Sequence, residues 1–357
     1  MSIAGDLWAR VKASPSFAPT GAVIPASNVD GPAHDPEPFR ADTHYFSIIV
    51  NELFLLNGRQ WFTTYDPMVF AVTEFSYGPE KRAVPFVLGP SLLQPYDQMP
   101  PQGMLFRDTR VLGLHPFRGD DLALTLILSK VQRTDYASQL LRFVETVGSA
   151  VGAAAGLGPL IKVADALLDA TGSLLGDSAT TPVVGMRLGF GGEYSDSPLV
   201  PAYVALIAAQ DVDPTKLRVE GGRLIGADGG PFRETDYVLA YVDQQERRDE
   251  RALESFDELW ERAVAEAMDV GAPDSWNNAR AQMLVLAQTL LLSPDVTRKH
   301  ARELIAEYKS TLRGIRDEAE SIAHLGARDS PQLVELHRVD AAAVAEARQE
   351  TIGILEL

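Results

Sequence analysis

Short runs of aliphatic, aromatic and β-branched residues follow one another between Thr43 and Val242, separated by glycine, proline and polar residues. Runs of this length and composition predict β-strands. The predicted strands lie at residues 44–56, 60–65, 69–77, 83–88, 111–114, 122–131, 183–188, 200–208, 217–219, 223–225 and 237–242. Because only one helix-like insertion interrupts this series, the pattern favours an antiparallel β-sandwich, of jelly-roll or C2-like type, over a parallel α/β sheet.

Glycine and proline residues predict two details of this sandwich. Gly221 and Gly222 separate two short runs, and glycine adopts the positive φ angles of a tight hairpin at little cost. The run at 83–88 contains Pro85 and precedes Pro90, and proline cannot donate a hydrogen bond to a neighbouring strand. We therefore expect a hairpin turn at residues 221–222 and an edge strand at 83–88.

A segment of low charge, residues 135–176, forms the insertion. No charged side chain occurs from residue 146 to 161, and Gly148, Gly152 and Gly156 recur every four residues. With a break at Pro159, residues 136–156 and 160–175 are the predicted arms of a helical hairpin. Each glycine in a helix costs about 1 kcal/mol relative to alanine, so their spacing predicts close packing against a second backbone.

Three interpretations of this hairpin stay open. It packs on the sandwich as a structural element, it presents an apolar surface to a partner or a second copy, or it inserts conditionally into a membrane. The membrane interpretation is the least favoured of the three. Pro159 divides the uncharged stretch, and Asp165 and Asp169 are costly in lipid.

Helical periodicity replaces the β pattern after residue 244. Apolar residues at helical spacing predict four helices, at residues 253–267, 276–292, 296–325 and 330–352. Their short connections allow a bundle, or packing against another chain. Leu304, Tyr308 and Leu312 belong to a heptad-like stripe on the long third helix, which makes them candidate interaction residues.

The first 42 residues combine a short predicted helix with a proline-rich stretch. Leu7 and Trp8 lie on the apolar face of the helix at residues 2–12, and six prolines follow between residues 14 and 40. This region is either a strap on the body of the protein or an arm that delivers Leu7 and Trp8 to a partner. The predicted domains are residues 1–42, residues 43–243 with the insertion at 135–176, and residues 244–357.

Composition argues against several classes of function. The 357-residue chain has a formal net charge of −17, shared between its two halves, so nucleic acid is not an expected partner and an anionic membrane repels the chain. The absence of cysteine excludes disulfides, thiolate metal sites and thiol nucleophiles. With no secretory signal pattern and no apolar run of roughly 18 to 20 residues, a cytoplasmic location is expected.

Signatures of catalysis and of cofactor binding are absent from the sequence. It contains no nucleophile elbow, no zinc-binding helix motif and no phosphate-binding loop. His115 with Asp120 and Asp121 is the closest arrangement to a catalytic site, and it needs further groups from distant segments. Asp120 and Asp121 with Asp211 and Asp213 are candidates for calcium ligands, although aspartates in turns also serve as local caps.

These observations predict a non-enzymatic scaffold or protein-interaction component that assembles with itself or with partner proteins. A membrane-acting effector that uses residues 136–176 is the first alternative. An enzyme with a site near His115 is the second. No cofactor and no small-molecule substrate are expected.

Overall fold

A computed structural model describes residues 21–56, 59–60, 63–77, 80–88, 104–132, 180–209, 212–248 and 256–328. The chain divides into two compact units. The β unit consists of Met1–Arg248 with Pro294–His300, and the helical unit consists of Asp249–Ser293 with Ala301–Leu357. Several predictions concern residues outside the described ones: the hairpin at 135–176, the helix at 330–352, and the residues Leu7, Trp8, Gly148, Gly152 and Gly156.

The first sheet of the β unit has five antiparallel strands. In spatial order they are β1 (Gly21–Val23), β9 (Ala202–Ile207), β12 (Tyr237–Gln245), β2 (Tyr45–Leu55) and β6 (Met104–Pro116). Neighbours in this sheet are therefore far apart in the chain. Such long-range pairing is typical of antiparallel folds in which strands return from a second sheet.

The second sheet is also antiparallel and has five strands. Its order is β3 (Arg59–Gln60), β4 (Thr63–Tyr77), β7 (Leu122–Gln132) and β8 (Thr180–Phe190), with β5 (Glu80–Leu88) paired to β4. Within the described residues β5 pairs with β4 alone, which confirms the predicted edge strand. The insertion at 135–176 connects β7 and β8, whose residues Val131 and Thr180 are paired neighbours.

A separate hairpin joins β10 (Arg218–Glu220) and β11 (Arg223–Ile225). Its turn residues Gly221 and Gly222 have φ angles of 56° and 72°. Both values lie in the left-handed region that glycine adopts without a steric penalty. The predicted hairpin turn is confirmed.

One long strand replaces two predicted strands in the second sheet. The prediction of two separate strands at 60–65 and 69–77 is wrong, because β4 continues through Asp66 and Pro67. Pro67 pairs with Lys130 of β7, whereas the described pairing with β5 begins only at Val69. Proline has no N–H to donate, so it fits a strand where one neighbour is missing.

The first sheet is buried on both faces. On one face Ile48, Val204 and Val238 share a hydrophobic core with residues of the second sheet such as Leu126 and Val184. On the other face a second apolar cluster covers the alternate positions, which include Ala205, Ile207, Tyr237 and Leu239. Burial on both faces explains why these strands read as nearly continuous apolar runs rather than as alternating ones.

Residues 21–42 and the β10–β11 hairpin cover this second face. Ile24, Val29 and Ala33 are buried there together with Val219 and Leu224. Asn28 links residues 21–42 to the segment that leads into β10. Its side-chain amide donates hydrogen bonds to the carbonyls of Thr215 (2.8 Å) and Leu217 (2.9 Å). We call residues 21–42 the strap, since the described part of the N-terminal region lies along the β unit.

The segment Pro294–His300 is bound to the β unit by polar contacts. The Arg118 guanidinium donates hydrogen bonds to the carbonyls of Pro294 (3.1 Å) and Val296 (3.2 Å). The backbone N–H of Thr297 donates to the hydroxyl of Tyr45 at 3.0 Å. Thr297 also accepts a hydrogen bond from the His300 N–H at its side-chain oxygen, as a helix cap does. The third helix therefore begins after Thr297, two residues later than predicted.

Three helices are described in the helical unit: α1 (Asp257–Met268), α2 (Ser275–Leu292) and α3 (Arg298–Arg328), whose first turn belongs to the β unit. Small and apolar residues of α1 and α2 are buried, among them Ala263, Ala267, Ala279 and Met283. Arg316 of α3 donates to the carbonyls of Ala267 and Asp269, both at 3.3 Å. The chain thus has antiparallel sheets followed by a helical region, as predicted.

A buried carboxylate lies under the β10–β11 hairpin. Glu52 of β2 is fully buried, and its oxygens accept hydrogen bonds from the Tyr237 hydroxyl (2.7 Å), the Leu224 N–H (3.0 Å) and Arg233 (2.9 Å). The Arg233 side chain also stacks over the ring of Phe54. A buried charge with this many partners is tolerated, whereas removal of one member leaves the others unpaired.

Glu52→Ala is expected to lower the free energy of unfolding by about 3 kcal/mol, because it leaves the Leu224 N–H and the Tyr237 hydroxyl without their acceptor and removes the counter-charge of Arg233. Urea denaturation followed by circular dichroism measures this change. The control is Glu220→Ala, which removes an exposed carboxylate from β10 and should change stability by less than about 0.5 kcal/mol. Equal stability of the two variants would contradict the role of Glu52.

Candidate functional site

The structure does not join the three residues of the predicted His115 site. The His115 ring packs against Phe75, with a centroid distance of 4.7 Å, and its Nδ1 atom has no hydrogen-bond partner among the described residues. Asp120 and Asp121 are exposed in the turn before β7. Asp121 accepts a hydrogen bond from the Gly192 N–H at 2.8 Å. No described hydrogen bond links His115 to either aspartate, so the geometry offers no His–Asp pair here.

Of the four predicted calcium ligands, the structure describes Asp120, Asp121 and Asp213. Asp211 lies outside the described residues, and Asp213 accepts hydrogen bonds from the Thr215 N–H (3.0 Å) and hydroxyl (2.7 Å). These bonds stabilise the carboxylate and lower the pKa of Asp213. In the described part of the chain no three His, Asp or Glu side chains are placed to hold a metal ion. Asp213 has the geometry of a local cap.

The candidate interaction residues of the third helix contact their own helical unit. Leu304 and Leu312 are 2% and 3% exposed, and the ring of Tyr308 lies 4.7 Å from that of Trp260 in α1. Their heptad-like spacing therefore serves packing within the chain. Their role in contacts with other proteins stays a prediction, and the apolar surface available to a partner has to be sought elsewhere.

The membrane alternative depends on residues 136–176, which the structure does not describe. Of the helices that it does describe, none has both the length and the apolar character needed to cross a bilayer.

A cleft lies on the first sheet, where the strap and the β10–β11 hairpin no longer cover it. It lies between the strap and the last residues of β12, and its volume is about 320 Å³. We call it the acidic cleft, because five carboxylates line it with one histidine and two tyrosines: Asp30, Asp35, Glu37, Asp243, Glu246, His44, Tyr203 and Tyr241. This volume is at the lower end for ligand pockets and suits one side chain or a small organic ion.

The two tyrosines form a flat aromatic surface in the acidic cleft. Tyr203 of β9 and Tyr241 of β12 are directly paired across the sheet, and their rings stack at 4.5 Å with an angle of 27° between planes. Burial, together with the nearby Asp243 carboxylate, raises the pKa of Tyr241 to about 12. The phenol therefore stays neutral at physiological pH and offers the negative face of its ring to a cation.

The carboxylates of the acidic cleft differ in how they are held. Asp30 accepts a hydrogen bond from the Gly221 N–H at 2.8 Å, and Asp243 accepts one from the Gln245 amide at 2.8 Å. Glu246 pairs with Lys299 at 2.6 Å, and this contact lowers the pKa of Glu246. Asp35 and Glu37 are exposed at the edge of the cleft, and the described residues supply no ion pair to either side chain.

His44 forms part of the wall and is held in its neutral state. It is only 6% exposed, and its Nδ1 atom accepts a hydrogen bond from the Arg40 N–H at 3.0 Å. Burial lowers the pKa of His44, Lys299 and Arg40 lower it further, and Glu246 opposes them. A neutral histidine adds no positive charge, and Lys299 offsets the charge of one of the five carboxylates, Glu246, so the acidic cleft keeps a net negative charge at pH 7.

This arrangement is suited to binding a cation. Carboxylates attract a guanidinium or ammonium group, and stacked tyrosines bind its apolar and positive surface through cation–π contacts. The acidic cleft contains neither serine, threonine nor cysteine among its lining residues. The lining residues thus offer groups that recognise a cation.

Sequence reasoning missed the acidic cleft, although two signals for it exist. The strap contains three acidic residues within the segment Asp30 to Glu37, and Tyr241 and Asp243 interrupt the apolar run of β12 at a spacing of two. The second signal places both side chains on one face of the strand. Neither signal shows that the two segments meet.

The buried His115 generates a prediction about pH. Burial lowers the pKa of His115 from 6.5 to about 4. Between these two pH values the histidine is mostly protonated in the unfolded chain and mostly neutral in the folded chain. This contribution to stability is fully present above pH 6.5 and is lost as the pH falls toward 4. Between pH 7.5 and 5.5 the loss should be about 1 kcal/mol.

His115→Phe is expected to remove this part of the pH dependence, because phenylalanine fits beside Phe75 and cannot bind a proton. Urea denaturation of the variant and the wild type at both pH values measures it. His324→Gln, a change at an exposed histidine of α3, is the control and should retain the pH dependence of the wild type. Parallel pH profiles for wild type and His115→Phe would refute the prediction.

Comparison with known proteins yields no relative. No protein-family model matches this chain, and no curated protein and no solved structure matches it significantly.

Proposed function

We propose that this protein is a non-enzymatic protein-interaction component that binds a basic side chain of a partner protein in the acidic cleft. The observation that carries the proposal is the stacked pair Tyr203 and Tyr241 in a cleft that is also lined by the carboxylates of Asp35, Glu37 and Asp243. Aromatic rings with carboxylates at their edge are a recurrent means of binding a cationic group. The partner is a protein other than this chain or a second copy with an exposed basic segment.

Arginine is the side chain that fits this chemistry best. Its planar guanidinium stacks on an aromatic ring while its N–H groups pair with carboxylates, whereas a lysine ammonium is a compact and strongly hydrated charge. The acidic cleft supplies both elements, with Tyr241 as the ring and Asp243 on the same face of β12. Asp35 and Glu37 at its edge would contact neighbouring basic residues of the same segment.

The charge of the whole chain supports a basic partner. With a net charge of −17, the protein attracts cationic segments at long range and repels acidic ones. Such attraction increases association rates and weakens as salt is added. Binding of this kind belongs to a scaffold or adaptor, for which we propose the cytoplasm as the location.

The proposed role also uses the finer architecture predicted from the sequence. Two sheets that share one core fit a β-sandwich of jelly-roll or C2-like type, with the helical hairpin inserted between β7 and β8. In such a fold, loops and edge segments around a rigid core carry the binding residues. The strap and the end of β12 have that position.

A peptide-binding experiment tests the proposal. A short fluorescent peptide with spaced arginines should bind the full-length protein, and the same peptide with citrulline in place of arginine should not, since citrulline keeps the shape and loses the charge. Fluorescence anisotropy at two salt concentrations measures both. We expect Tyr241→Leu to weaken binding about 10-fold through loss of the cation–π contact.

Variants at the edge of the cleft provide the matched comparison. Asp35→Asn with Glu37→Gln should weaken binding and reduce its salt dependence. Glu220→Gln with Glu234→Gln removes the same number of charges from exposed positions of the β unit outside the acidic cleft. The proposal fails if no arginine peptide binds, or if the two double variants lose affinity equally.

A further inference from the structure

The outward face of α2 is apolar. Leu284, Val285, Leu291 and Leu292 are 60%, 45%, 44% and 83% exposed. At 100° per residue these four side chains, with Ala281 and Gln288 between them, fall within about 120° of the helix circumference. We call these six residues the α2 stripe. It lies opposite the buried face of the same helix.

The buried face of α2 is apolar as well. Ala279, Met283, Leu286 and Leu290 are buried. A helix of a single-chain protein normally turns charged residues toward water on the side opposite its core. α2 has apolar side chains on both sides instead, and a helix that is hydrophobic all round is typical of one buried on both sides.

Charge makes the α2 stripe unusual for this protein. Residues 275–292 contain no acidic side chain, and Arg280 is their only charged residue. The chain as a whole has a net charge of −17, so most contacts between two copies bring acidic groups together. On α2 two copies can approach without that repulsion.

We infer that the α2 stripe pairs with the α2 stripe of a second copy, and that the two helices run antiparallel about a twofold axis near Gln288. A twofold contact uses the same surface on both partners, so that surface has to be complementary to itself. An uncharged apolar stripe meets this condition. In this register Leu284 of one copy faces Leu292 of the other, and the two Gln288 amides meet, where each can donate to and accept from the other.

The size of the stripe is sufficient for a weak, specific dimer. Its exposed side chains present on the order of 400 Å² of apolar surface, which is at the level at which patches on monomers mark interaction sites. Two facing stripes with their flanking residues bury on the order of 1,000 Å², the lower limit for a specific interface. This inference does not depend on ligand binding by the acidic cleft.

Substitutions at exposed positions test the dimer. Sedimentation equilibrium of the full-length protein over a range of concentrations should give a reversible monomer–dimer equilibrium. Leu284→Glu with Leu292→Glu should raise the dimer dissociation constant at least about 100-fold, because four carboxylates would face one another across the axis. Met268→Glu with Ile322→Glu is the matched control, since those residues are 47% and 49% exposed on α1 and α3.

Crosslinking tests the register. The natural chain contains no cysteine, so single cysteines report only on the positions where they are introduced. Gln288→Cys should form a disulfide-linked dimer under mild oxidation, and Leu284→Cys alone should not, because its two copies lie further apart than a disulfide reaches. A mixture of Leu284→Cys and Leu292→Cys proteins should crosslink to each other.

Three results would overturn the inference. A wild-type protein that stays monomeric at all concentrations means that another part of this chain, or a different protein, covers the α2 stripe. Equal weakening by the stripe and the control substitutions means that the dimer uses another surface. Crosslinking of Leu284→Cys with itself, in the absence of crosslinking at Gln288→Cys, excludes the antiparallel register.

Discussion

Burial of the first sheet on both faces is the constraint on which the rest of the β unit depends. One face contributes to the core shared with the second sheet, and the other would expose Ala205, Ile207, Tyr237 and Leu239 to water. Removing that surface from water is the main favourable term available to the chain. The strap and the β10–β11 hairpin supply the cover, and the carboxylate of Glu52 secures the hairpin from beneath through Leu224 and Arg233.

The acidic cleft is a consequence of where that cover ends. Tyr203 and Tyr241 continue the covered face of the sheet but lie beyond the residues that the strap buries, so their rings remain partly open. The acidic residues of the strap then stand at the edge of an aromatic surface. The cleft thus lies where the apolar cover of the sheet ends. Asp30, which helps to hold the strap in place through the Gly221 N–H, also lines the cleft.

Strands and helices were largely predictable, because alternation and helical spacing are local properties of the chain. The β10–β11 hairpin and the edge strand β5 follow from glycine and proline chemistry alone. Errors arose where a neighbour decides the outcome. Pro67 looks like a break in the sequence, but β4 continues through it at a position where the described pairing with β5 has not yet begun. The third helix begins two residues later than predicted, because the segment that contains Thr297 contacts Tyr45. The heptad-like spacing on α3 does not reveal that Tyr308 contacts Trp260 of α1, because that contact joins distant parts of the chain.

The sequence by itself determined most of the described strands and helices, the order of a β region followed by helices, the acidic net charge and the absence of cysteine chemistry. Only the tertiary structure decided which segments meet. Tyr203 and Tyr241 are 38 positions apart and join the acidic strap through sheet register, which depends on long-range pairing rather than on local propensity. In the same way, apolar residues occupy both faces of α2 in the sequence. Only the tertiary structure shows which of the two faces is buried and which is exposed.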